Sequence, residues 1–336
     1  MEDIALFRAA TLKDLDTLIQ FSQEAGAGIT SLPRDPKVLE ERLKDAHRSF
    51  HQWIRVPKHE MYLFCLEWKG KVIGASGIIS RIALGESFYA YHLLNEKHRS
   101  EHLKIDRNIS ALHFIQARKK PTEIGTLFIK RENRQQGFGK LLSFSRFLFM
   151  ATFRYRFAPV VIAELRGFHV EGSSPFWDAI GRPFFDIDFS AADLLRTTHP
   201  ECIQEIFPKH PIYPLLLPQE VQEVIGKSHP YTLPAQKMLE KQGFKMSRYV
   251  DIFDGGPHLY ASTDEIHAVR ASREGKVKEM RSHIDGSKTA IVSNQKLDFR
   301  ACLAHIIEDE YNVILHPSVA DTLQVDIGDP IRYYPL

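Results

Sequence analysis

Gly125–Lys140 reads GTLFIKRENRQQGFGK. Thr126-Leu127-Phe128-Ile129 is β-branched, aliphatic and aromatic, the composition of a buried strand. Lys130-Arg131-Glu132-Asn133 follows as a polar turn. Then Arg134-x-x-Gly137-x-Gly139 leads into Lys140-Leu141-Leu142 and a long apolar run that reads as a helix. The order is strand, glycine-bearing loop, helix start, and it aims several backbone N–H groups at one place. The two glycines let a ligand come close to the backbone, and the helix dipole adds partial positive charge. Such a place suits an anion, and a phosphate or pyrophosphate best.

The dinucleotide fingerprint needs a third glycine where this chain has Leu142. The Walker A loop needs Ser or Thr after its lysine, and Lys140 is followed by Leu141. What matches is Arg/Gln-x-x-Gly-x-Gly/Ala after a strand. This resembles the pyrophosphate loop of the acyl-CoA N-acyltransferases, with a plain structural turn as the alternative.

The chain has 336 residues, enough for two modest domains or one large one. With 43% hydrophobic and 26% charged residues it reads as globular. Lys and Arg number 44 against 42 Asp and Glu, so nothing asks for a nucleic-acid partner. Cys65, Cys202 and Cys302 are far apart, which gives neither a disulfide framework nor metal-ligand spacing. The first residues lack a basic stretch followed by an apolar one, and no run of about 18 apolar residues offers a membrane span. A cytoplasmic protein with no membrane partner and no metal is the expectation.

Ile4–Arg8 reads as a strand, and Thr11 with Asp14 resembles a capping box ahead of a helix through Leu15, Leu18, Ile19 and Phe21. Gly26–Pro33 is a glycine-rich loop, either a connection or a substrate-facing segment. Pro36–Ile54 is an amphipathic helix. Met61–Trp68 and Val72–Ile79 flank Lys69-Gly70-Lys71 as a hairpin, and Ala83–Leu94 extends the sheet. His92–Arg107, with His92, His98 and His102, reads as a solvated loop before a strand at Ile109–Ile115, and Arg118–Pro121 reads as a turn. Leu141–Phe157 is a buried helix, and Val160–Leu165 a strand. Two later stretches, from Ser173 and from Leu233, each read as a helix closed by Gly and leading into a strand, an echo that marks either two copies of a half-fold or one repeated helix–strand habit. Ser190–Gly226 is helical and Arg270–Lys288 a charged linker. Val325–Arg332 reads as strand, turn and strand of a small β-barrel.

Several stretches converge on one family. Ile29–Pro33, Gly125–Ile129, Leu142–Phe147, Ala163-Glu164-x-Arg166-Gly167, Ser174–Trp177, Pro208–Tyr213, Val224-Ile225-Gly226-x-x-His229-Pro230 and Tyr249-x-Asp251-Ile252-Phe253-Asp254-Gly255-Gly256-Pro257 together resemble the arginine N-succinyltransferases. The resemblance covers nearly the whole chain and is weakest at Arg81–Lys120 and after Arg270. It implies an α/β fold, an acyl-CoA N-acyltransferase-like mixed sheet with flanking helices, with a duplicated half-fold as one reading of it, and a small C-terminal β-barrel-like appendage. The corresponding regions are 1–270, with halves of about 1–190 and 191–270, and 271–336. Family members move succinyl from succinyl-CoA, a co-substrate rather than a permanent cofactor, to the α-amine of L-arginine in arginine catabolism. The family also implies a homo-oligomer or a pairing with a homologous chain.

Acyl transfer from a thioester to an amine requires that CoA be held, the amine deprotonated, the oxyanion stabilised and the thiolate protonated. The pyrophosphate falls to Gln135, Gln136, Gly137, Phe138, Gly139 and Lys140, with charge from Arg134. The peptide-like pantetheine arm suits the open edge of Leu127, Phe128 and Ile129, as an added strand would. The resemblance points to His229, beside Pro230, as proton donor, with His210 in reserve. Glu164 either steers the amine or guanidinium or pairs with Arg166. Arg166 and Lys209 are the candidates for the succinyl carboxylate. An acyltransferase with another donor or acceptor, such as ornithine, and a non-catalytic acyl-CoA or amino-acid sensor are the competing readings.

Overall fold

The computed structural model describes residues 3–25, 32–82, 88–116, 120–134, 137–169, 173–199 and 201–336. Most of the Gly26–Pro33 loop, the start of Ala83–Leu94, part of the turn before Pro121, and Gln135 and Gln136 lie outside them. Strands and helices intersperse along the chain, a mixed α/β protein. Strands β1 (Leu6–Ala9), β2 (Met61–Trp68) and β3 (Lys71–Ile79) come first. Then follow β4 (Tyr89–Ser100), β5 (Ile105–Gln116), β6 (Thr122–Ile129), β7 (Val160–Glu164), β8 (Lys245–Val250) and β9 (Pro257–Ser262). The last five are β10 (Arg273–Met280), β11 (Lys288–Asn294), β12 (Arg300–Asp309), β13 (Asn312–Leu315) and β14 (Pro330–Pro335). The chain divides into two compact units. One holds Met1–Arg81, Ile124–Pro159 and Ser262–Leu336, the other Ile82–Glu123 and Val160–Ala261. Among the described residues no helix is long and apolar enough to cross a membrane.

In the first unit the strand order is β11-β14-β10-β13-β12-β1-β2-β3-β6, and β11 also pairs with β12. The last five strands therefore close on themselves as a five-stranded barrel, which removes their open edges. Its interior is Val277, Ala290, Val292, Cys302, Ile306, Val313, Ile331 and their neighbours. Arg273–Met280, expected as a linker, is β10 of this barrel, antiparallel to β14 and parallel to β13. Only Gly275 and Val277 are buried in β10, between charged outward residues, so its alternation is too short to stand out in the sequence. Of the expected strand, turn and strand at Val325–Arg332, only the second strand forms. The helix Phe138–Thr152 is buried on every side from Leu141 to Met150, as its Phe- and Leu-rich sequence requires. The helix Pro36–His51 opens with Asp35 accepting from Lys37 N at 2.8 Å and Pro36 in its first turn.

The Thr11–Asp14 capping box forms, and it is also an ion-pair site. Asp14, buried, accepts from Thr11 N at 2.8 Å and from both terminal nitrogens of Arg8 at 2.8 and 2.9 Å. Burial raises its carboxyl, but the bonds from Arg8 and Thr11 outweigh that and hold it below its ordinary 3.8. A depressed carboxyl stabilises the fold above its unfolded value and loses that contribution as pH falls through its folded value. Asp14→Ala should cost about 1.5–3 kcal/mol at neutral pH, because it removes two charge-assisted bonds from Arg8 and leaves it Glu67, 2.9 Å from its Nε, as charged partner. Urea unfolding should show the gap from wild type shrinking below pH 3.8. A gap that stays constant with pH would show that Asp14 acts through packing alone.

In the second unit the strand order is β7-β9-β8-β4-β5. Thr122 and Glu123, the first residues of β6, belong here and pair in parallel with Val161 and Ile162 of β7. The expected loop at His92–Arg107 is instead most of a hairpin, β4 against β5, paired from Tyr89↔Gln116 to Ser100↔Ile105. Its far end is exposed on both faces, so it carries no apolar alternation to betray it. The expected strand after Gly181 is also corrected. Arg182–Phe185 is a helical turn, ended by Asp186 at φ 52°, and another helix, Phe189–Thr198, follows. Pro183 favours that first turn. Only the later helix, Leu233–Lys241, leads through Gly243 into a strand, β8, so the sequence echo does not repeat in structure.

Candidate active site

In the first unit β6 ends at Ile129, and Lys130 N donates to Ile73 O of β3 at 2.9 Å. Strand β6 is not regular. Thr126 is buried with φ 52°, a left-handed conformation unusual for a β-branched residue. Strand β3 makes room for this kink with glycines. A Cβ on Gly77 would stand 3.0 Å from Thr126 Oγ1, and one on Gly74 only 2.7 Å from Phe128 O. From the helix Phe138–Thr152, buried Arg146 donates to Gly125 O at 3.1 Å, just before the kink, and to Ser143 O and Oγ at 3.3 and 3.1 Å. Burial pushes its guanidinium well down from the usual value. Phe128 packs on Phe21 with ring centroids 4.8 Å apart, and Ile129 is buried beside it in sequence, while Leu127 is half-buried.

Arg134 Nε donates to Ile129 O at 3.1 Å, so part of this side chain ties the loop to the strand end. Gly137 caps the helix at φ 76°, in the left-handed region. No described atom lies within 4 Å of where its Cβ would be. Phe138 begins the helix with its ring 5.3 Å from that of Trp68, and Lys140 N donates back to Gly137 O at 3.0 Å. The first-turn N–H groups of a helix have no acceptor within it, so the backbone of Gly137, Phe138 and Gly139 has the chemistry to suit an anion.

The second unit gathers a different chemistry. The segments after β7 and before β9 approach so closely that side chains are excluded. A Cβ on Gly167 would lie 2.2 Å from Asp254 O, and one on Gly256 2.2 Å from Leu165 O. Asp254 fastens the approach, accepting from Gly167 N at 2.7 Å and Gly256 N at 2.8 Å. Asp251 accepts from Phe253 N at 2.7 Å and Asp254 N at 3.0 Å. This brings Glu164, Asp251 and His258 together, with ligating atoms within 4.8 Å of one another and His258 Nε2 4.0 Å from Glu164 Oε1. Two carboxylates and an imidazole, largely buried, suit a cation.

The segment after β7 also meets His229, whose backbone N–H donates to Arg166 O at 2.8 Å. Its Nδ1 accepts the Tyr231 N–H at 3.2 Å, and its ring lies 4.8 Å from that of His169. Burial, then the Arg166 charge, lower His229 from its ordinary 6.5 against a smaller upward pull from the His169 carbonyl. Burial, then Arg166, push His169 down to about 4. The structure thus brings Arg166 and His229 together. Lys209 and His210 are exposed in the bend before Ile212, outside the residues these contacts join. Sequence reasoning passed over His169, Asp251 and His258 as site residues, although polar residues inside the apolar run Tyr249–Pro257 were a signal for the second of them.

The family model described as Arginine N-succinyltransferase beta subunit matches residues 5–268, and that of the same subunit's C-terminal domain matches 273–335. An arginine N-succinyltransferase of Enterobacter sp. (strain 638) is 39% identical over 325 residues, covering 95% of this chain and 94% of that protein. One of Escherichia coli O139:H28 (strain E24377A / ETEC) is 38% identical over 333 residues, covering 97% and 96%. The solved structure of arginine/ornithine succinyltransferase subunit AI from Pseudomonas aeruginosa superposes with a TM-score of 0.91 at 30% identity, over 99% of both chains. This chain therefore belongs to the arginine N-succinyltransferase family.

Proposed function

We propose that this chain transfers the succinyl group of succinyl-CoA to the α-amine of L-arginine, giving N2-succinyl-L-arginine and CoA in arginine catabolism. The observation that carries this is kinship over nearly the full chain, at 38–39% identity, with proteins of that name. It is an acyltransferase, and the sensor reading falls away. Arginine is favoured over ornithine as acceptor, because the relatives at 38–39% identity described above are named for arginine, while ornithine enters with the Pseudomonas subunit at 30% identity.

The finer assignments rest on the geometry of each unit. Gly137, Phe138, Gly139 and Lys140, with Gln135 and Gln136, take the CoA pyrophosphate, and Arg134 adds charge. Leu127, Phe128 and Ile129 pair with the pantetheine arm. The kink at Thr126 and the glycine-capped helix support an acyl-CoA N-acyltransferase-like fold over residues 1–270, with 271–336 as the C-terminal region. Glu164, with Asp251 and His258, faces the cationic substrate. Arg166 takes the succinyl carboxylate, and His229 passes a proton to the leaving sulfur.

Mass spectrometry of a donor-by-acceptor panel tests the activity. Arginine should gain one succinyl group with succinyl-CoA, and far more than ornithine does. Gain only from another donor, or binding with no turnover, would overturn the reading.

A further inference from the structure

We propose that Arg146, which touches no substrate, is a positioning residue for the acyl transfer: its buried charge, passed through the Gly125 carbonyl, polarises the backbone of β6 where the thioester oxygen turns negative. This rests on the reading that lays the pantetheine arm along Leu127–Ile129, and it adds the source of the field at the reacting carbonyl.

Arg146 stands in the middle of the helix Phe138–Thr152 and is 2% exposed. Each of its three guanidinium nitrogens already donates. Nη1 donates to Gly125 O at 3.1 Å, Nε to Ser143 O at 3.3 Å and Nη2 to Ser143 Oγ at 3.1 Å. All three acceptors are neutral, and among the described residues no carboxylate pairs with it. Burial lowers its proton affinity to about 9, which leaves it charged at neutral pH. Elsewhere the chain compensates its enclosed arginines. Arg8 meets Asp14, Arg332 meets Glu274, and Arg156 has the hydroxyls of Tyr62 and Tyr155 beside two carbonyls.

A buried cation without a counter-charge is costly to keep. A second cost falls on the same peptide. Gly125 O belongs to the peptide that ends in Thr126 N, and Thr126 is the buried residue at φ 52°. Strain and uncompensated charge that meet at one peptide mark a place shaped for chemistry rather than for stability.

The arm leaves the pyrophosphate at the helix start, so it passes Ile129 before Leu127 and carries its sulfur end toward Thr126 and Gly125. In the transfer the amine lone pair forms the carbon–nitrogen bond, and the carbonyl π pair moves onto oxygen. That pair returns as the carbon–sulfur bond breaks, and the sulfur leaves with its electrons. The amine gives up one proton and the thiolate takes one, so the balance closes. The oxyanion between those steps needs a positive field that is already in place. A cation on a peptide carbonyl makes the N–H of the same peptide a stronger donor, because hydrogen bonds in series polarise one another. The interior also screens the charge far less than water does. Three fixed acceptors hold the guanidinium, so it need not reorient as the oxygen charges. Enclosed in this way, it serves any acyl group alike, which separates it from a residue that reads the succinyl carboxylate.

The test compares Arg146→Met and Arg146→Lys with wild type, using succinyl-CoA and butyryl-CoA, which has the same four-carbon chain without the carboxylate. Arg146→Met should lower kcat about 10–100-fold with both donors, less than the roughly 10²–10³-fold that a direct oxyanion donor is worth. Kd for succinyl-CoA and the melting temperature should stay near wild type, because an apolar side chain of similar size in place of a buried charge is often neutral or stabilising. Arg146→Lys, which keeps the charge, should recover most of the loss. Infrared difference spectra of bound succinyl-CoA, isotope-labelled at the thioester carbonyl, should show that band moved to lower frequency in wild type and moved less in Arg146→Met. Full turnover in Arg146→Met, a loss confined to succinyl-CoA, or equal losses in the two variants would each overturn the proposal. So would an Arg146→Met protein that melts early or does not fold, since that is the mark of a structural role. Unchanged succinyl-CoA affinity in Gly137→Glu would instead remove the CoA reading on which the proposal rests.

Discussion

His229→Ala should lower kcat by about 10²–10⁴-fold, the usual worth of general acid help. KM for succinyl-CoA should change little, because CoA is assigned to the strand and loop of β6 and Gly137. The variant keeps the backbone bond from residue 229 to Arg166 O but removes the acceptor of Tyr231 N–H. That loss is worth about 0.5–1.5 kcal/mol of stability. A structural role alone would therefore show as a lower melting temperature with turnover near wild type. Measuring kcat and stability on one preparation separates the two outcomes. A destabilised but fully active protein would remove His229 from the chemistry.

Gly137→Glu should raise the Kd for succinyl-CoA by about 100-fold or more, since a like charge in an anion site costs several kcal/mol. The effect on folding should be far smaller. With φ at 76°, any side chain at this position carries the left-handed penalty of about 1–2 kcal/mol, but no described atom within 4 Å obstructs it. A carboxylate at a helix N-terminus is itself mildly stabilising. Gly137→Ala, with the strain but not the charge, provides the comparison. Calorimetric titration showing unchanged affinity in the glutamate variant would place the phosphates elsewhere.

The strand, the left-handed glycine and the helix start were legible because their signals are local. A strand, Gly137 and a helix start are consecutive in the chain, and only glycine readily takes the conformation at 137. The barrel was legible at its end and not at β10, where two inward residues made the whole pattern. The β4–β5 hairpin was missed at His92–Arg107 because a ribbon wet on both faces does not sort its residues by polarity. The meeting of Glu164, Asp251 and His258 depends on Gly167 and Gly256 letting two distant segments touch, a tertiary condition that no spacing encodes. Arg146 was seen as part of a family stretch, but its grip on Gly125 O needs the helix laid beside the strand.

Strand β1 pairs with β2 on one side and β12 on the other, Leu6 opposite both Glu67 and Cys302. During synthesis at roughly 5–20 residues per second, its second neighbour leaves the ribosome on the order of 15–60 s after it does. Throughout that interval one side of an apolar strand offers unpaired amides and carbonyls to whatever else is nascent. The first unit is therefore completed last, and throughout that interval a strand-capturing chaperone, or a neighbouring copy emerging from the same message, competes for that place.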